Sequence, residues 1–268
     1  MTAPAAVRPG LAAGPGPAFT AARHRLGLVA LLFGLAALAW RSTADQMSGM
    51  DDGPWTALGT FGGFLGIWVT MMAAMMLPSV APTIALYSRM TRRRSPLSPL
   101  LFTAGYLLTW TVAGLVAFGI GGASSLFGGD ALGWDHAGRW LVGVTLLVAA
   151  AWELTPLKDV CLGKCHSPLG FLLGFWREGH WGALRMGMRN GAWCVGCCWA
   201  LMAALFALGI MSLTWMALIA GIIAAEKIFP RRRTATLATA ALLSALGLLV
   251  LAAPGVVPGL TIPSGMVM

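Results

Sequence analysis

The stretch from Gly53 to Tyr87, GPWTALGTFGGFLGIWVTMMAAMMLPSVAPTIALY, carries no charged side chain. A membrane-spanning helix needs about 20 predominantly apolar residues, and this run supplies them before Pro78. The runs Leu26–Trp40, Ser95–Gly129, Asn190–Ala225 and Thr234–Met268 are equally free of charge. Working outward, the 268-residue chain is 58% hydrophobic and only 10% charged. A soluble domain carries roughly 25% charged residues, because its surface faces water. The expected fold is therefore all-α: a polytopic membrane helix bundle.

The first helix ends near Trp40, and later spans are expected at 57–77, 98–122, 138–157, 192–208, 212–228 and 235–253. Residues 1–22, rich in Ala, Pro and Gly without periodicity, read as a disordered tail, with one transmembrane helical domain over 23–268. Ser42-Thr43-Ala44 offers a small-x-small site, so a cleaved signal peptide is the alternative to an uncleaved first helix. Seven crossings place alternate segments on opposite sides, and the basic residues test this. The segment up to Arg25 and the 78–97, 158–191 and 227–234 loops hold all but Arg41 and Arg139 of the 18 lysines and arginines. They are therefore expected inside, with the C-terminus outside. The net charge of +9 then reflects cytoplasmic-side basic residues, and no nucleic-acid partner is expected. Walker-type, G-x-S-x-G and H-E-x-x-H signatures are all absent from the sequence, which removes the usual marks of three large enzyme classes.

That orientation brings unusual residues to one leaflet. Met71, Met72, Met75 and Met76 close the second span, Glu153 the fourth, and Glu226 with Lys227 the sixth. The five cysteines stand as Cys161-x-x-x-Cys165 and Cys194-x-x-Cys197-Cys198. A reducing cytoplasm disfavours structural disulfides, so ligation of a metal is the leading use of these thiols. Residues three and four apart share a helix face, so Cys194, Cys197 and Cys198 can converge, with Met202 continuing the stripe. Two cysteine pairs suit zinc; an extra thiol and nearby thioethers favour copper(I). The candidate metal set is Cys161, Cys165, Cys194, Cys197, Cys198, His166, Met72, Met75, Met76, Met202, Glu153 and Glu226. Within it, a shared site of Cys194 and Cys197 with Cys161 and Cys165 is expected, with Cys198 spare.

Each candidate has a plainer reading. Buried cysteines and methionines also pack. Glu153 can pair with Lys158, and Glu226 with its neighbour Lys227. An amphipathic helix over roughly 169–189 is expected to lie on the inner surface, carrying His180 at the interface and Arg177, Arg185 and Arg189 toward headgroups. His136 reads as external and isolated. Met47, Met50, Asp51 and Asp52 read as a solvated outer loop.

Several of these segments resemble a known family. They are Met71-Met72-Ala73-Ala74-Met75-Met76-Leu77-Pro78, Gly105-Tyr106 with Trp110, and Glu153-Leu154-Thr155-Pro156-Leu157-Lys158 with Cys161 and Cys165. To these add Gly191-x-x-Cys194-x-Gly196-Cys197-Cys198-Trp199 and Glu226-Lys227. Together they look like a bacterial family of integral membrane proteins described as metal-binding, some labelled copper chaperones. The match covers about residues 55–228, and Gly196-Cys197-Cys198-Trp199 is its most specific part. The resemblance implies metal binding at these cysteines and residence in the bacterial inner membrane. The expected function is handling of copper(I), as chaperone, deliverer or transporter, with zinc as the alternative ion. The expected partners are the lipid bilayer, the metal ion and a recipient metalloprotein or membrane subunit. A membrane redox enzyme or enzyme subunit, and an assembly factor with a zinc site, are the competing readings, so enzymatic activity is left open.

Overall fold

A computed structural model describes residues 17–47, 61–91, 95–128, 139–209, 212–228 and 232–253. These are all-α: α1 (Pro17–Met47), α2 (Phe61–Thr91), α3 (Ser98–Gly128), α4 (Arg139–Glu153), α5 (Pro156–His166), α6 (Pro168–Gly174), α7 (Gly179–Gly209), α8 (Leu213–Ile228) and α9 (Arg232–Ala252). Among the described residues, four helices, α2, α3, α7 and α9, are long and apolar enough to cross a membrane. The bent pair α4–α5 makes a fifth if it is one span. α1 and α8 stand where the first and sixth spans are expected. With 16 residues, α8 rises about 24 Å, short of a roughly 30 Å hydrocarbon core. Large apolar side chains on α3, among them Leu100, Leu108, Val112, Val116 and Ile120, face outward, a surface suited to lipid and not to water. Of the expected tail, residues 1–16 lie outside the described residues, as do Met50, Asp51, Asp52 and His136, and α1 starts at Pro17.

The centre of the bundle is α7, which packs on α3, α4, α5 and α8. Its contact with α3 is made by glycines. A Cβ on Gly187 would strike the Phe102 carbonyl, one on Gly105 the Leu184 carbonyl, and one on Gly191 would crowd Thr109 and the Tyr106 carbonyl. Lipid gives helices no hydrophobic reason to associate, so close backbone approach through small residues does that work. Gly187-x-x-x-Gly191 is the trace of this contact in the sequence. The Thr109 hydroxyl adds a bond to the Met188 carbonyl at 3.0 Å.

The expected surface helix over 169–189 is not formed. α6 ends at Gly174, residues 176–178 are not helical, and α7 runs unbroken from Gly179 through all the later cysteines. Ala183 and Met186 are buried, and Gly187 docks on α3, so tertiary packing draws this segment into the bundle. Among its basic residues, Arg189 lies over the Phe175 ring at 3.9 Å. His180 is exposed and bonds Ser95 at 3.1 Å. Likewise α2 continues through Pro78 and Pro82 to Thr91, beyond the expected end at 77. A proline costs a helix its hydrogen bond four residues back, and neighbouring helices and side-chain hydroxyls make it tolerable in a membrane protein. The Ser79 hydroxyl, in the same stretch, donates to the Met76 carbonyl at 2.9 Å; the carbonyls that the two prolines deprive of an amide are those of Ala74 and Pro78.

Between α4 and α5 the chain bends by 67° at Leu154-Thr155. Pro156 occupies the first turn of α5 and Thr155 is its N-cap, accepting from the Lys158 amide, the arrangement such a start favours. The Thr155 hydroxyl also donates to the Trp152 carbonyl at 2.7 Å. In a straight helix, side chains five apart stand about 140° around the axis. The bend instead turns Lys158 back onto Glu153.

Candidate metal centre

The site grows from the i, i+3, i+4 spacing on α7. Cys194, Cys197 and Cys198 are all buried, and their three sulfurs lie within 4.8 Å of one another. The Cys197 and Cys198 sulfurs are 3.3 Å apart, and the Cys197 thiol also donates to the Cys194 carbonyl at 3.2 Å. All five cysteines are free thiols. A metal–thiolate bond of about 2.3 Å puts sulfurs sharing one ion about 3.8–4.0 Å apart. The cluster therefore needs only small adjustments to close on an ion.

Four other helices reach this cluster. From α5, Cys165 lies 3.9 Å from Cys197. From α2, the Met76 sulfur lies 4.0 Å from that of Cys194. From α3, the Tyr106 hydroxyl lies 3.1 Å from Cys194. From α8, the Lys227 ammonium donates to the Cys194 sulfur at 3.0 Å and to the Ser79 hydroxyl at 3.1 Å. His166 meets the backbone here: its Nδ1 donates to the Lys227 carbonyl at 2.8 Å, tying the end of α5 to the end of α8. Cys161 takes another position. Its sulfur sits 3.0 Å from where a Cβ on Gly196 would stand, so it packs on α7 beside the group of three. Cys198 is a full member of that group. Met72, Met75 and Met202 are buried in the core around it.

The carboxylates expected near the cysteines instead surround a lysine. Lys158 is wholly buried and donates to both Glu153 and Glu226, the latter at 2.8 Å. The Oε1 atoms of both glutamates have no hydrogen-bond partner among the described residues. Glu153 thus takes the lysine expected for it, while Glu226 does not pair with Lys227. Successive residues on a helix point about 100° apart, so Glu226 faces the α4–α5 bend and Lys227 faces the thiols. Two buried polar clusters are therefore built back to back from adjacent residues of α8. Lys227 and Tyr106 were not among the expected metal residues. Both nevertheless stand in the family-like segments Glu226-Lys227 and Gly105-Tyr106.

The potential ligands are soft, thiols and a thioether, and the Lys227 ammonium beside them supplies a compensating charge. Residues 65–250 match the PpoB2 family model, described as copper chaperone. That match covers well over half of the chain, which belongs to this family. No curated protein and no solved structure matches it.

Proposed function

We propose that this member of the copper chaperone family binds copper(I) through Cys194, Cys197 and Cys198, holding it for delivery to a metalloprotein. One observation carries the reading: three buried thiols within 4.8 Å of one another, with the part-buried Lys227 ammonium on one of them. Soft thiolate and thioether ligands select copper(I). Copper(I) on two thiolates and one neutral thiol of this group carries one net negative charge, which the Lys227 ammonium cancels. Zinc on four thiolates would leave a net negative charge even after that cancellation, and uncompensated charge is costly to bury. Cys165 and Met76 stand close enough to complete or exchange the ligand set. The test is metal content: purified protein reconstituted under reducing conditions is expected to retain stoichiometric copper(I) and to prefer it to zinc. Zinc retained in preference would favour the four-thiol assembly site.

The partition of basic residues supports seven crossings of the bacterial inner membrane, with the N-terminus inside, the C-terminus outside and α5–α6 at the cytoplasmic face. α1 and the short α8 would then be the first and sixth spans, and the cysteine cluster would open to the reducing side. A Lys164→Cys variant is expected to react with an impermeant maleimide only from the cytoplasmic side. Reaction from outside would reverse the orientation.

A further inference from the structure

The polar cluster at the α4–α5 bend does not balance its own charge. Glu153, Lys158 and Glu226 are only 2%, 0% and 2% exposed. With both carboxyls ionised, as free glutamates are at neutral pH, two carboxylates share one ammonium and a net negative charge stays buried. Lys158 donates to Oε2 of each glutamate. Both Oε1 atoms are buried with no hydrogen-bond partner among the described residues. The two carboxyl groups lie within hydrogen-bonding reach of each other. Unmet acceptors and an unbalanced charge therefore coincide at one place.

Among the described residues, no other charged side chain on the surrounding helices answers this need. Lys227 of α8 is turned to Cys194 and Ser79. His166 of α5 bonds the Lys227 carbonyl, and Cys161, one turn beyond Lys158, packs on Gly196. Arg139 stands at the far end of α4. Asp159 and Lys164 of α5, Arg185 and Arg189 of α7 and Arg233 of α9 are exposed. A buried charge without a counter-charge is costly, and an ionisable group in that position neutralises instead. Two carboxylates in one site rarely ionise together for the same reason. One proton meets both deficits: carried by one carboxyl, it is donated to the other and brings the net charge to zero. A hard metal cation would also balance the charge, but such ions take six or more oxygen ligands, and two unpartnered oxygens stand here.

We infer that Glu153 and Glu226 form a proton-binding site, sharing one exchangeable proton beside the Lys158 ammonium at neutral pH. The site is separate from the thiols and does not depend on the copper reading. Its proton completes the joint that fastens the α4–α5 bend to the end of α8. Loss of the proton leaves a net negative charge inside that joint and weakens it. A carboxyl at membrane depth that takes up and releases a proton is the element from which proton relays are built.

Infrared spectroscopy of the purified full chain at neutral pH, in water and in heavy water, reads the proton directly. Wild type is expected to show a carboxylic-acid C=O band that shifts on deuteration. The sequence holds three glutamates, and the third, Glu178, is exposed, so a heavy-carbon label on glutamate assigns the band to this pair. Glu153→Gln and Glu226→Gln should each remove it, because the carboxylate left behind pairs one to one with Lys158. No label-sensitive acid band in wild type, the result a bound metal cation would give, overturns the inference whether or not the variants fold. So does a band that survives in either folded variant. Stability against pH is the second readout. The carboxyls of the unfolded chain are ionised at neutral pH, so folding takes up the shared proton. The folding constant should then fall by about tenfold per pH unit, from above the ordinary carboxylate range until the site releases its proton. Denaturant titration in mild detergent should show this slope in wild type in excess of both glutamine variants. Equal slopes would overturn the shared proton.

Discussion

Replacing Lys158 with methionine is expected to destabilise the fold by about 3–5 kcal/mol, the cost of removing one partner from a buried ion pair. Lys158 is wholly buried and donates to Glu153 and to Glu226. Without it, two buried carboxyl groups face each other with this counter-charge gone, and their Oε1 atoms already lack partners among the described residues. The loss would fall where the structure is least redundant. The ammonium pins the α4–α5 bend to the end of α8, and α5 carries Cys165 toward the cluster. Unfolding in mild detergent, followed by thermal midpoint or denaturant titration, reads the effect. The triple variant Glu153→Gln, Lys158→Met, Glu226→Gln is the control. Replacing a whole buried ion cluster with neutral groups is often close to neutral, so it should recover most of the lost stability. A single variant indistinguishable from wild type would mean that the three charges are solvated.

The second large effect is expected at the thiols. Cys194→Ser and Cys197→Ser should each abolish stoichiometric copper retention while leaving the helices intact, since serine preserves size and removes the soft donor. Cys198→Ser should do the same, because its sulfur belongs to the same group as the other two. Cys165→Ser, one contact further out at 3.9 Å from Cys197, should weaken copper by about 10–100-fold, as loss of a supporting group does. Cys161→Ser should leave copper content unchanged, since its sulfur packs against Gly196. Met76→Leu conserves volume and should cost under about 1.5 kcal/mol of stability. Competition with a copper(I) chelator of known affinity, beside helical content, separates lost ligation from lost fold. Lower copper retention in Cys161→Ser with full retention in Cys198→Ser would reverse the assignment and restore the pairing by sequence spacing.

Part of this arrangement was legible before any coordinate. Charge-free runs too long for a soluble domain led to a bundle of apolar helices, because an unpaired charge is excluded from lipid wherever in the chain it lies. The convergence of Cys194, Cys197 and Cys198 also followed from their numbers alone, since a helix repeats every 3.6 residues. The family-like segments around Met76, Tyr106, Cys165 and Lys227 already held most of the site. What the sequence could not say is which of these residues face one another. Cys161 and Cys165 share an i, i+4 spacing, yet one meets Gly196 and the other Cys197, because the tilt of α5 after the 67° bend separates them. Glu226 and Lys227 are neighbours in the chain that serve different clusters, a result of where α8 crosses α5 and α7. The 169–189 segment has surface-helix periodicity, but glycines that let α7 touch α3 draw its second half into the bundle. Local rules set helices and faces, being short-range geometry. Only the packing of distant helices decided that one lysine would sit on the thiols and another between the glutamates.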